Sequence, residues 1–343
     1  MPPAQTYFLV NDTRYDNHFG GLTVIKNLQA GMSTRGWHCC GSLPVSSSSR
    51  HLPAHRNAIR TARRIIINGE GSLHHNSRNT RRLLEICKNL RQTHPLILVN
   101  AVWQDNDPAE WLPLLRDFKA VYARDRRSRK QLQEIGIAAQ YAPDLTFYDY
   151  PTLPAQPRAD YLCTDSVNPV WTRAALAACR RDEQLTFITL FTASLRYRRG
   201  PKDWHKILKY RLYPLLQQNL KIPVPPRYQS LPYAVDELNA LLQKIAACRA
   251  VCTARYHALC FALQQETPFV AVASNSHKSE ALLEEIGIPP KLFMLAGNDI
   301  DELKTKLMQA EDAYPGIQPA IQRFKQSAKQ KINSMFDQIA GEL

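Results

Sequence analysis

The chain has 343 residues, 44% hydrophobic and 22% charged, and its 44 Lys and Arg against 30 Asp and Glu leave a formal charge of +14. That is a globular composition rather than a disordered or fibrous one, long enough at about 150 residues per domain for two cores. No run of about 18 apolar residues is present, which excludes a conventional transmembrane helix, and the opening MPPAQTYFLVND lacks the basic and apolar regions of a secretion signal, so a cytoplasmic location is expected.

Strands and helices alternate along the first half. TYFLVND (6–12) predicts a strand, and GGLTVIKNLQAGMSTRG (20–36) a helix that stops at glycine. HCCGSLPV is the next strand. RRIIINGEG (63–71) is a β-branched run opening into glycines, and SRNTRRLLEICKNLRQT is helical. PLILVNAVW (95–103) and KAVYARD (119–125) are strands that flank the helix PAEWLPLLRDF. RRSRKQLQEIG (126–136) is a helix ending at Gly136. The proline-bearing stretch 148–161 reads as a linker, after which the alternation restarts with DYLCTDS, a helix, LTFITLF (185–191), the helix 236–250, VCTARYHALCFALQQE and PFVAVAS (268–274). DELKTKLMQAEDAY predicts one helix and the tail from 321 a second. The expected fold class is therefore α/β and GT-B-like: two doubly wound, Rossmann-like domains, 1–150 and 151–320, a C-terminal helix 321–343, and an interdomain cleft faced by the carboxyl ends of the strands.

The surplus of positive charge implies an anionic partner. Residues 45–130 hold ten of the fourteen net charges, and a second basic cluster spans Arg196 to Arg211. No helix-turn-helix, ribonucleoprotein or Cys-His finger pattern accompanies them, so a nucleic-acid partner is not expected. The 196–216 stretch interleaves Arg and Lys with Trp, Tyr and Leu. It reads either as an amphipathic helix packed on its domain or as a peripheral contact with an anionic membrane face. The eight cysteines read as reduced thiols. Cys248, Cys252, His257 and Cys260 match no zinc spacing, and no metal is expected.

Four segments place chemistry at predicted strand ends. In Asn68-Gly69-Glu70-Gly71-Ser72-Leu73-His74-His75, the small Gly69, Gly71 and Ser72 allow close backbone approach to a ligand, while Glu70 and His74 supply polar chemistry. A tight strand-helix turn is the plainer alternative. Asp12 and His18, before Gly20-Gly21, are candidates to touch substrate or simply turn residues. In Ala123-Arg124-Asp125-Arg126-Arg127-Ser128, guanidiniums crowd a helix start and oppose its dipole, which a bound anion would offset; a salt-bridged helix start is the alternative. In Thr253-Ala254-Arg255-Tyr256-His257, Arg255 and His257 share a side if the segment is extended, a guanidinium beside an imidazole, with Lys278 added after the next strand.

Three blocks, IINGEGSLHH (66–75), VYARDRRSRKQLQEIGI with YAPDLTF (121–147), and TARYHALCFALQQETPFVAVASNSHKSEALLEEIGI (253–288), resemble the polysaccharide pyruvyl transferase family. The loop Asn11-Asp12-Thr13 with His18-Phe19-Gly20-Gly21 departs from the glycine-rich loop of that family, and Glu70 stands where a small residue is usual. The resemblance implies transfer in cell-surface polysaccharide biosynthesis, without a cofactor. The donor would be phosphoenolpyruvate and the acceptor a sugar or lipid-linked glycan. Arg124, Arg127, Arg255 and Lys278 would hold the donor's anionic groups, His257 would protonate the enol carbon, and Glu70 or Asp144 would take a hydroxyl proton. The alternative is a CMP-ulosonic acid donor of the Kdo type, with Asp144 as nucleophile or, more plainly, as a turn residue after Pro143. The oligomeric state is not legible.

Overall fold

The fold is described from a computed structural model, over residues 5–154, 156–192, 197, 208, 212–213, 215–216, 229–273, 276–295 and 300–341. The chain divides into two compact units. The first comprises Met1–Asp16, Gly21–Asp149 and Gln326–Leu343; the second comprises Asn17–Gly20 and Tyr150–Lys325.

The first unit is built on β1 (Gln5–Asp12), β2 (Trp37–Pro44), β3 (Arg64–Asn68), β4 (Leu96–Ala101), β5 (Ala120–Ala123) and β6 (Gln140–Tyr141). They form one parallel sheet in the order β2-β1-β3-β4-β5-β6. Every residue of β4 is buried, as a strand covered on both faces requires, and its apolar sequence LILVNA reflects that. The strands alternate with helices α1 (Phe19–Ser33), α2 (Arg56–Thr61), α3 (Arg78–Leu90), α4 (Pro108–Leu115) and α5 (Arg126–Glu134). Side-chain oxygens start the last three: Ser77 accepts from the Thr80 N–H, Asp107 from Ala109, and Asp125 from Ser128. Phe8, Ile65, Leu98 and Trp111 belong to the core between sheet and helices.

The second unit repeats the plan with β7 (Tyr161–Thr164), β8 (Leu185–Ile188), β9 (Ala250–Thr253), β10 (Phe269–Val272) and β11 (Met294–Leu295), all parallel, in the order β11-β10-β9-β7-β8. Among the described residues its helices include α6 (Pro169–Arg181), α7 (Leu238–Ala247), α8 (Tyr256–Gln264), α9 (Lys278–Ile286) and α10 (Pro290–Phe293). All nine residues of α8, YHALCFALQ, are buried.

The last helix, α11, runs unbroken from Leu303 to Ala340, so the expected division at 321 is replaced by one 38-residue element. Pro315 and Pro319 lie inside it. Prolines remove two intrahelical donors, yet the helix persists because Leu307, Ala310, Tyr314, Ile321, Phe324, Ile332 and Phe336 are buried along its length. Its end completes the first unit: Phe336 packs so close to Gly31 that a Cβ there would lie 2.2 Å from the ring, Arg35 pairs with Asp337 at 2.7 Å, and the Trp37 indole donates to the Ala340 carbonyl at 3.2 Å.

All eight cysteines are free thiols. Of the basic stretch 196–211, only Tyr197 and Leu208 belong to the described residues, so the expected membrane contact lies outside them. Among the described residues no helix is long and apolar enough to cross a membrane, and no group of three or more His, Cys, Asp or Glu is arranged to hold a metal ion.

Candidate functional site

Two groups of polar side chains stand at the carboxyl ends of strands, one in each unit. The second unit holds the cationic one. After β9 the backbone turns at once: the Thr253 hydroxyl accepts from the Arg255 N–H at 2.9 Å and ends the strand. Arg255 is then the N-cap residue of α8, with extended backbone, and His257 is the second helical residue. The expected extended Arg-x-His segment is thus a helix start. The two side chains share a locality because the first turn of α8 rises from the end of β9.

Arg255 is oriented from beneath. Its Nε donates to Asp165 Oδ2 at 3.1 Å and its Nη2 makes a second, shorter contact with the same oxygen. Asp165 follows β7, is buried, and receives the Leu190 N–H on its other oxygen at 3.1 Å. The guanidinium also lies 5.1 Å from the centroid of the Phe191 ring. A guanidinium clamped along one edge by a buried carboxylate keeps its plane, which favours two-point recognition of a carboxylate or phosphate.

His18 joins this group through the backbone. It bridges to Phe191, and the flanking Phe19 N–H donates to the Leu190 carbonyl at 2.9 Å. Its ring lies 5.5 Å from that of Phe191 and 5.9 Å from that of His257. Nδ1 accepts from the Gly20 N–H at 3.1 Å, which assigns the ring proton of the neutral tautomer to Nε2. Nε2 is buried and meets no hydrogen-bond partner among the described residues. Burial first, then the positive charges of Arg255, His257 and Lys278, hold the His18 pKa well below the ordinary histidine value. Gly20 makes the packing feasible, because a Cβ there would fall 2.1 Å from His257 Nδ1. His18, Arg255, His257 and Lys278 are therefore one concentration of basic side chains, in which the neutral His18 adds no charge.

The first unit holds the other expected residues. Asp12 is fully buried, bound by Arg14 Nη2 at 2.6 Å and by the Ser42 hydroxyl at 2.8 Å. Its carboxylate is engaged inside the protein and is not presented to a substrate. Glu70 is 8% exposed, and its Oε2 accepts from the Thr13 hydroxyl at 2.7 Å. Ser72 is buried and receives the Asn11 amide at 3.0 Å. Gly71 has a positive φ of 60°, as a turn after β3 demands, and Gly69 lies against Ala101, where a Cβ would come within 2.7 Å. The next helix starts only at Arg78, so its N-terminus does not abut Gly69–Ser72 as the sequence suggested. His74 Nδ1 lies 3.0 Å from His75 Nδ1, and His75 faces Asp105 at 3.1 Å.

Arg124 and Asp144 form a buried pair at 3.0 Å, with side chains 2% and 0% exposed. Asp144 also accepts from the Thr146 N–H at 3.0 Å and so caps the short helical turn Leu145–Phe147. This is the turn-residue role, and it leaves the carboxylate bonded rather than poised as a nucleophile. Asp125 caps α5 through both oxygens, to Ser128 N at 2.7 Å and Ser128 Oγ at 2.8 Å. The charge that offsets the arginines at that helix start is thus the protein's own. Arg127 is half-buried on the first turn of α5.

Asp165 and Phe191 escaped the sequence reading. Asp165 had a usable signal, a carboxylate directly after a predicted strand; Phe191 had none. Asn100 was also missed. It has φ of 54° at the end of β4, gives its carbonyl to the Leu145 N–H at 3.3 Å, and keeps a buried amide nitrogen with no partner among the described residues.

Comparison with solved structures shows the same GT-B-type fold in UDP-GlcNAc 2-epimerases. The chain is similar to that of Methanocaldococcus jannaschii in complex with UDP-GlcNAc and UDP, with TM-score 0.52 and 10% identity over 90% of this chain and 93% of that one. It is similar to that of Neisseria meningitidis bound to UDP-GlcNAc, with TM-score 0.51 and 8% identity over 97% and 99%. At such identity the likeness shows fold alone. No curated protein matches the chain. The family model described as polysaccharide pyruvyl transferase matches residues 42–276.

Proposed function

The chain belongs to the polysaccharide pyruvyl transferase family and is a transferase, and on that premise we propose that it carries the pyruvyl group of phosphoenolpyruvate to two hydroxyls of a glycan. The observation that carries the donor assignment is the convergence of His18, Arg255, His257 and Lys278, with Arg255 held in place by Asp165. Phosphoenolpyruvate presents a phosphate and a carboxylate on one carbon, and the guanidinium of Arg255 with the ammonium of Lys278 suits such a ligand.

In this reading His257 delivers a proton to the methylene carbon, which becomes the methyl group, and positive charge develops at the neighbouring carbon. A sugar hydroxyl adds there, and its proton returns to His257. The C–O bond to phosphorus-bearing oxygen breaks, a second hydroxyl adds, and its proton leaves with inorganic phosphate. The product is a cyclic ketal. Arg255 and Lys278 hold the phosphate and carboxylate throughout, and the neutral His18 offers its Nε2–H as a hydrogen-bond donor without adding charge.

The test pairs binding with turnover. Phosphoenolpyruvate is expected to raise the melting temperature while CMP and UDP do not, and Arg255→Ala or His257→Ala is expected to abolish acceptor-dependent phosphate release with the fold retained. Stabilisation by CMP alone would replace this donor with the nucleotide-activated ulosonic acid. Full activity in both variants would remove the site assignment.

A further inference from the structure

The second unit contains a cavity of about 510 Å³ that the transfer chemistry leaves unused. It lies at the amino-terminal edge of the sheet. Its walls are Thr152–Pro154, Gln156 and Arg158 ahead of β7, Ala246 of α7, Gln264–Glu266 and Pro268 between α8 and β10, and a single stripe of α11. That stripe is Glu311, Tyr314, Pro315 and Gln318, the spacing of one helix face. Helix α8 has Arg255 and His257 at its start and Gln264 at its end, so its nine residues, about 13 Å at 1.5 Å each, separate the cavity from the cationic group.

The lining is built rather than incidental. Gln265 holds the proline-bearing segment in place, donating to the Pro151 carbonyl at 2.7 Å and accepting the Leu153 N–H at 3.3 Å. Gln318 donates to Glu266 at 3.0 Å. The two carboxylates of the wall are engaged by cations: Glu266 by Lys325 at 2.9 Å and Glu311 by Arg249 at 2.9 Å. Tyr314 is the exception. It is 5% exposed, lines the cavity, and its buried hydroxyl meets no hydrogen-bond partner among the described residues. Burial raises its pKa, so the hydroxyl stays protonated and can both donate and accept.

These features define the ligand by exclusion and by fit. An anion would find Arg158 but no cluster of cations, and a cation would find carboxylates already satisfied. What the walls offer is amides, a phenolic hydroxyl and the apolar faces of Leu153, Pro154, Pro268 and Pro315. Hydroxyl-bonding groups together with apolar faces match an uncharged, polyhydroxylated ring. The volume falls in the range of small-ligand pockets, roughly 300–1,000 Å³. We propose that this cavity binds a short stretch of neutral oligosaccharide, at a site separate from that of group transfer. The proposal concerns binding alone and does not depend on the identity of the donor.

Maltotriose and chitotriose serve as probes, titrated by saturation-transfer NMR into the full chain, its Tyr314→Phe variant and its Gln156→Trp variant. Gln156 is exposed at the cavity wall, so tryptophan there blocks the space without touching a core. Saturable binding of at least one trisaccharide is expected, weakened about fivefold by loss of the Tyr314 hydroxyl and lost in Gln156→Trp, while stabilisation by phosphoenolpyruvate is the same in all three. Absence of saturable binding to the unmodified chain, or equal affinity in all three proteins, overturns the proposal.

Discussion

Replacing Gly20 with alanine is the sharpest probe of the cationic group, because the added carbon has one place to go. It would stand 2.1 Å from Nδ1, 2.2 Å from Cγ and 2.6 Å from Cβ of His257. Non-bonded carbons sit comfortably at about 3.5–4.0 Å, so the gap must widen by more than about 1 Å. Rotating the imidazole does not suffice, since the clash reaches Cβ at the root of the side chain, and α8 is buried along its whole length. The main chain on one side must shift. Overpacking of this kind costs about 1–3 kcal/mol of stability, and a 1 Å misplacement of a reacting group costs about a hundredfold in rate. Gly316→Ala is the matched control. It lies in α11 with nothing within 4 Å of the added methyl, and helix propensity favours alanine there by about 1 kcal/mol. Acceptor-dependent phosphate release, measured beside urea unfolding, reads both effects. A Gly20→Ala protein whose kcat/KM stays within about twofold of the parent would show that His257 is not positioned by this contact, and the reasoning would fail.

Three further outcomes are expected. His18 is held neutral in the fold, with a pKa below that of the unfolded chain. The fold therefore carries no penalty from it above about pH 6.5 and loses stability below, where only the unfolded chain takes the proton, by at most about 1.4 kcal/mol per pH unit. Urea unfolding between pH 7 and 5 should show this fall, and His18→Gln should flatten it; an unchanged slope would contradict the assignment. Asp165→Asn loosens Arg255 and should raise the KM for phosphoenolpyruvate about tenfold, the scale of one charge-assisted hydrogen bond, with a smaller change in kcat; an unaltered KM would deny Asp165 its positioning role. Arg124→Leu strands the buried Asp144 carboxylate and should cost the first unit about 3–5 kcal/mol, with partial recovery when Asp144 is also replaced by leucine. A loss under about 1 kcal/mol would show that the pair does not act as a buried ion pair.

Strand-helix alternation and the GT-B-type fold are legible in the sequence because buried parallel strands announce themselves as β-branched runs such as RIIIN and LILVNA. The continuity of α11 is not. Pro315 and Pro319 argue locally for a break, and what overrides them is burial of residues whose partners lie far away in sequence. Arg255, His257 and Lys278 could be singled out by position after strands. Their convergence with His18 could not, since it depends on a backbone bridge to Phe191 across more than half the chain. Nor does sequence reveal which charges are already used. Asp12 and Asp144 look available as isolated letters, and only the fold shows Arg14 and Arg124 bound to them.

The last turns of α11 set an order of events during synthesis. The groove beside Gly31 and Trp37 is synthesised well before its occupants, Phe336 and the Ala340 carbonyl, with 303 residues separating Trp37 from Ala340. At about 5–20 residues per second, the intervening 150–325 take roughly ten to thirty seconds to appear. For that interval the nascent first unit lacks the Phe336 side chain beside Gly31, while β7 to β11 of the second unit are synthesised before it arrives. The first unit is closed by a segment made after the second, and a circular permutant that joins 326–341 ahead of residue 5 would let the first unit close as it is made.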